Sequence, residues 1–213
     1  MSKSAVSPLI FLSEIKMKEN QEAKVIGKVL QFINSMFPKE LKKANKEYQN
    51  TQEAKMTTDK ALYYRGFLSY FLIQRMINGA TPMEYAYSLP LNYFSNVEKT
   101  IIQRFINHTE SLFEIKLISK NRKNFLIIDV TNNKKYSVIT LDFPDILKEH
   151  DIIRALIVKK TKQDYFFYGN VWSYNKQEAL KTKMPILLEI KEKRKIPKIE
   201  WDIRYTKNQG KTN

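Results

Sequence analysis

Two groupings of carboxylates with lysine have the composition of a metal-dependent phosphodiesterase centre. Glu114-Ile115-Lys116 can be read with Asp129, and Pro144-Asp145 with Glu189-Ile190-Lys191. Carboxylates on neighbouring strands can hold a divalent cation, and a nearby lysine can orient the attacking water or steady the charge developing on phosphate. E-x-K triplets, however, recur by chance in a chain with 37 Lys+Arg and 22 Asp+Glu, and Asp145 lies 44 residues before Glu189 with a hairpin between them. A divergent metal-dependent nuclease is therefore carried only as a second alternative. No catalytic residue is assigned, and the chain is expected not to be an enzyme.

Other chemistries lack their residues. The two histidines, His108 and His150, stand apart from metal-ligand partners in sequence, which favours structural roles and no metal site. The five glycines form no G-x-G-x-x-G or phosphate-loop array, and neither G-x-S-x-G nor H-E-x-x-H occurs. The absence of cysteine excludes disulfides, thiolate zinc sites, iron–sulfur clusters and cysteine nucleophiles. No cofactor is expected.

Binding chemistry is better represented. The formal net charge is +15 and the sequence pI about 9.7, which favours polyanionic partners. The cations are 30 Lys against 7 Arg. Arginine supplies the bidentate fork that reads guanine edges, so a lysine-dominated surface favours backbone attraction over sequence reading. Part of that lysine excess also matches the residue usage of an AT-rich genome.

The stretch DYFFYGNVWSY (164–174) holds six aromatic side chains in eleven positions. As a strand it places Phe166, Tyr168 and Trp172 on one face and Tyr165, Phe167 and Val171 on the other. Only one face can line a core. The other either packs within the chain, against residues such as Ile199, Trp201 and Ile203, or stacks on bases, with Arg154, Lys159, Lys160 and Lys162 supplying phosphate contacts. Lys191, Lys193, Arg194 and Lys195 form either a solvated loop or a second phosphate-gripping arm.

These residues need elements to hold them. Val25, Ile26, Val29, Leu30, Ile33 and Phe37 recur at three- and four-residue spacing and predict an amphipathic helix over 21–37. Residues 39–55 are polar nearly all round and read as an exposed helix or a linker. A mostly apolar helix is expected from an N-cap at Thr57 or Thr58 to a stop at Asn78-Gly79. Capping boxes at Thr81–Glu84 and Ser95–Glu98 mark helices over roughly 82–88 and 96–109.

Near Ser111 the period changes to alternation, with Phe113, Ile115 and Leu117 predicted on one strand face. Strands at 125–130 and around Tyr136 and Val138 follow, joined by a hairpin at Asn132-Asn133. FPDILKEH (143–150) reads as one helical turn, and DIIRALIVKK with DYFFYGNVW as strands four and five. Three strands, a short helix and two strands imply a small closed barrel, OB-like or else SH3-like. Beyond it, ILLEI (186–190) reads as a strand, and Ile199, Trp201, Ile203 and Tyr205 alternate as a docking strand.

Phe113-Glu114, Asp129-Val130-Thr131, His150-Asp151-Ile152-Ile153 and Tyr165-Phe166-Phe167 carry a resemblance over residues 112–174. The segment resembles a small β-barrel module that follows a helical segment in uncharacterised prokaryotic proteins, some of which carry a cysteine-rich zinc motif. It departs at Asn133 and His150, where glycine is usual, and in having no zinc ligands. The resemblance implies a fold and no activity.

The expected architecture is α+β: a helical domain (1–110), a five-stranded OB- or SH3-like barrel (111–174) and a basic extension (175–213) docking an added strand through 199–205. The leading functional reading is a non-catalytic protein that binds or accompanies DNA or RNA through Lys-rich backbone contacts. The alternative is a protein–protein adaptor using the helical face. No apolar run approaches the roughly 20 residues a membrane span needs, and no convincing leader cleavage site follows the first residues. A cytoplasmic location without membrane contact is therefore expected. The residues do not indicate an oligomeric state.

Overall fold

The computed structural model describes residues 21–121, 123–140, 147–174, 185–188 and 190. They divide into a helical unit, 21–77 with 81–106, and a barrel unit, 78–80 with the described residues from 107 onward.

In the helical unit, α1 (Gln21–Met36) buries Val25, Val29, Leu30 and Ile33 along the predicted stripe. The polar stretch after Pro38 is helical, as α2 (Glu40–Gln49) and α3 (Gln52–Met56). Its thin apolar line suffices because Ala44 and Tyr48 are buried, and Tyr48 meets the rings of Tyr63, Phe67 and Tyr70 at 5.3–5.8 Å. Helix α4 (Lys60–Ser69) starts later than the threonines suggest. Asp59 is its cap, with a carboxylate accepting from Leu62 N at 2.8 Å.

The apolar helix also stops before Asn78-Gly79. It passes into a π-helical turn (Tyr70–Gln74), and the backbone of Arg75 is extended. Arg75 is only 7% exposed, and its guanidinium reaches Glu47 and Glu40 of α2. The sequence period could not register that destination. Asn78 (φ 50°) and Gly79 (φ 94°) instead make a separate left-handed turn. Helix α5 (Pro82–Ser88) has the full Thr81–Glu84 capping box. Ahead of α6 (Asn96–Ile106), the Ser95–Glu98 pair makes both reciprocal bonds.

The barrel contains β1 (Thr109–Ile118), β2 (Asn124–Asp129), β3 (Lys135–Ile139), β4 (Ile152–Lys159) and β5 (Asp164–Tyr174). It is closed in the order β1-β2-β3-β5-β4, with β4 returning to β1. All pairs are antiparallel except β3 with β5. This is the order of an OB-type Greek-key barrel and decides between the two expected barrel types. The first strand starts at Thr109, so Thr109 and Glu110 belong to the barrel. Phe113, Ile115, Phe125, Ile127, Tyr136, Val138, Ile153, Ala155 and Ile157 fill its interior.

A bulge after Ile115 corrects the expected face of Leu117. Pairing shifts from Ile115↔Ile127 to Leu117↔Leu126, so Ile118 packs on the interior and Leu117 is 56% exposed. Asn133 at φ 58° and His150 at φ 70° both have left-handed backbone.

Residues 185–188 and 190 are helical, not the expected strand. Four-residue spacing brings Ile186 and Ile190 together onto Leu112, with Val130, Ile152 and Tyr174 packed around them on the outer wall of the barrel. The predicted helical turn lies largely, and the strand at 199–205 wholly, outside the described residues.

Candidate nucleic-acid interface

The β4–β5 hairpin carries most of the site residues expected from sequence. Its wall has two chemically distinct faces. Tyr165, Phe167 and Val171 pack on the interior cluster, and the ring of Phe167 meets Phe125 edge-on at 6.2 Å. Leu156 and Tyr168 are cross-strand partners on the outer face, as are Val158 and Phe166 and also Arg154 and Trp172. A shift between Arg154 and Leu156 admits two extra β5 residues near Gly169 (φ 80°), and an even insertion leaves Tyr168 and Trp172 on the same side.

That outer face is not an open stacking platform. Leu156 is 4% exposed and Val158 is 0%, while Phe166, Tyr168 and Trp172 are half-buried. Burial pushes the Tyr168 hydroxyl above its ordinary value. Arg154 also departs from its expected role. Its Nε and Nη2 donate to Glu110 Oε1 at 3.1 and 2.9 Å, so its fork is directed to a carboxylate of the same wall. Glu110 is itself buried, and this pairing satisfies it.

Lys159, Lys160 and Lys162 are exposed at the tip of the hairpin. The loop beneath them is pinned internally. Lys160 N and Thr161 N donate to Asp164 O at 2.8 and 3.2 Å. Thr161 Oγ1 accepts from Asp164 N at 3.0 Å and donates to the Asp164 carboxylate at 3.0 Å. The β1–β2 loop is built similarly and presents Lys120 and Lys123, which the sequence reading did not single out. There Ser119 N donates to Asn124 O at 2.9 Å, Asn124 N returns to Ser119 Oγ at 3.0 Å, and Asn121 Oδ1 accepts from Ser119 Oγ and Lys123 N.

The register places these loops on either side of β3. Thr140 N donates to Lys123 O at 2.9 Å from one side, while Asp164 lies beside Ser137 on the other and accepts its hydroxyl at 3.2 Å. Three residues along a strand and two strand spacings across put Lys123 and Asp164 roughly 14 Å apart. Between the loops, the outward positions of β2 and β3 are Asn124, Leu126, Ile128, Lys135, Ser137 and Ile139, with no aromatic side chain. Phe125 and Tyr136 point inward. Among the described residues, Lys120, Lys123, Lys135, Lys159 and Lys162 make no ion pair.

The nuclease-like grouping of Glu114, Lys116 and Asp129 is not assembled. Asp129 pairs with inward Phe113 and is 2% exposed, whereas Glu114 pairs with outward Ile128. The two carboxylates lie on opposite faces of the sheet and cannot share one cation. The Asp129 carboxylate accepts from Ser111 Oγ, Thr131 N, Thr131 Oγ1 and Asn132 Nδ2 at 2.6–3.3 Å, a turn-capping arrangement. Lys116 and, less strongly, His150 hold Glu114 below its ordinary value. No group of three His, Asp or Glu that could hold a metal occurs among the described residues. Asp145, Glu189, Lys191, Lys193, Arg194 and Lys195 lie outside them.

No helix among the described residues is long and apolar enough to cross a membrane. No family model, curated protein or solved structure matches the chain.

Proposed function

We propose that the chain is a non-catalytic nucleic-acid-binding protein whose contact surface is the lysine-bearing side of the barrel flanking β3. The observation that carries this reading is the pair of internally pinned loops, 119–123 and 160–163. They contain cations and no acidic residue and lie on opposite sides of a strand whose outward residues are polar or aliphatic. In OB-type barrels, the β2–β3 face and these two loops are where oligonucleotides are held. Asp164 and Glu149 are nearby negative charges. The first is engaged by Ser137 and Thr161 and the second accepts from Ile118 N, so the loop lysines Lys120, Lys123, Lys159 and Lys162, which make no ion pair among the described residues, outweigh them.

The test replaces Lys120, Lys123, Lys159, Lys160 and Lys162 by glutamine and measures nucleic-acid affinity against salt, with ellipticity verifying the fold. Each phosphate contact contributes about 0.9 to the logarithmic salt slope on duplex DNA, so the slope should fall by up to about 4.5. An unchanged slope overturns the assigned surface, and absence of binding by the parent chain at low salt overturns the reading.

A second reading is favoured by a different observation. In the helical unit Tyr87, Leu91, Tyr93 and Val97 are all exposed within eleven residues, a local concentration of large apolar side chains suited to a protein partner. A stoichiometric protein complex that Leu91→Asp abolishes, without changing nucleic-acid affinity, would support the adaptor role.

A further inference from the structure

The aromatic content of the barrel is unevenly distributed between its two sides. Phe125 and Tyr136, the rings of β2 and β3, are both turned inward. Tyr136 meets Phe113 and Tyr165 edge-on at 5.8 and 5.0 Å, and Lys134 Nζ lies 5.3 Å from its centroid. The outward rings lie on β5, where the wall beneath them is already buried. The surface between the lysine loops is therefore an electrostatic one, with Leu126, Ile128 and Ile139 where a base-stacking surface would carry rings.

Resting on the nucleic-acid reading above, we infer that this surface takes the sugar–phosphate backbone of a double-stranded nucleic acid in preference to an unstacked single strand, without reading sequence. Binding single strands depends on stacking, at roughly 1–3 kcal/mol per base, and the outward positions of β2 and β3 offer no ring for it, while the outward Phe166 of neighbouring β5 is half-buried. A duplex has one charge per about 1.7 Å of axis, so the roughly 14 Å between the loops spans about eight phosphates. Lysines are point charges for phosphate and lack the planar fork that distinguishes guanine.

The size of the preference follows from counterion release. The salt slope per contact is about 0.9 on duplex DNA and about 0.7 on single strands. With five contacts and equal affinity extrapolated to 1 M salt, the duplex binds about tenfold tighter near 0.1 M. The experiment measures fluorescence anisotropy of the full chain with labelled duplexes of two unrelated sequences and with their separated strands. Inorganic polyphosphate is the base-free competitor.

The expected result is tighter duplex binding, equal for both sequences and displaced by polyphosphate. Three results would each overturn the inference while leaving nucleic-acid binding itself in place: single strands binding as tightly as duplexes, a strong sequence preference, or no displacement by polyphosphate. Failure of both duplexes and strands to bind at low salt would instead remove the underlying functional reading. Duplex DNA and duplex RNA run side by side identify which backbone the surface prefers.

Discussion

Replacing Arg75 by methionine should remove about 2–3 kcal/mol from the helical unit. Nε donates to Glu47 at 2.5 Å and Nη2 donates to Glu40 at 2.6 Å, from a guanidinium only 7% exposed. Charge-assisted bonds contribute roughly 1.5–3 kcal/mol each, and removing one partner of a fully buried pair costs about 3–5 kcal/mol. The partners here are less buried: the Glu40 and Glu47 side chains are 26% and 38% exposed, so both carboxylates rehydrate when the cation is lost. Methionine also restores apolar contact, and these two effects put the expected cost below the fully buried range. In a unit of this size such a change lowers Tm by roughly 10–20 °C, read from ellipticity. The acid limb supplies a second readout. Hydrogen bonding from Arg75 holds Glu47 below its ordinary value of 4.5. That stabilisation is complete above about 4.5 and is lost as pH falls through the depressed folded value, so the variant should lose this part of the acid dependence. A variant within about 0.5 kcal/mol of the parent at neutral pH, with the acid limb unchanged, would reduce the cluster to an ordinary surface ion pair.

Four further substitutions test the barrel. His150→Gly should raise its urea midpoint by up to about 1 kcal/mol equivalent, because φ 70° strains a residue with a Cβ and the exposed imidazole gives up little beyond its 3.3 Å approach to Glu114; Asn133→Gly should be nearly neutral. Asp129→Ala should cost about 2 kcal/mol in a tryptophan-monitored melt, since the buried Ser111 hydroxyl and the 131–132 turn lose their acceptor; an unchanged melt would refute a structural role. Leu117→Lys, at an exposed outward position beside the 119–123 loop, should leave the melt unchanged and steepen the salt dependence of duplex binding by about 0.9; an unchanged slope would place the ligand elsewhere.

Local signals led to local structure. The α1 stripe, the Thr81–Glu84 and Ser95–Glu98 boxes and the five strands all follow from spacings of two to four residues. Three features escaped because their causes are remote in sequence. The helix ends at Arg75 because its guanidinium reaches Glu47 and Glu40, 28 and 35 residues earlier. The bulge at Lys116 is visible only against the pairing with β2. ILLEI is compatible with either period, and the hydrophobic wall around Leu112 accommodates the face on which Ile186 and Ile190 meet. For the interface, charge pointed to the β4–β5 tip, but Lys120 and Lys123 join it only through the parallel pairing of β3 with β5, a contact with no local signature.

That same pairing changes how the aromatic run of β5 should be understood. A barrel this small needs large interior side chains, and β5 supplies Tyr165 and Phe167 to an interior already holding Phe113, Phe125 and Tyr136. The run therefore serves closure first: its inward rings meet those of β2 and β3, while its outward rings lie over buried Leu156 and Val158. Once the rings are committed in this way, the outward positions of β2 and β3 between the two loops hold a lysine, an asparagine, a serine and aliphatic residues, flanked by the loop lysines. Only long-range attraction to phosphate can make such a surface bind nucleic acid strongly. Its affinity should therefore collapse with salt, where one built on stacked bases would retain a substantial salt-insensitive part.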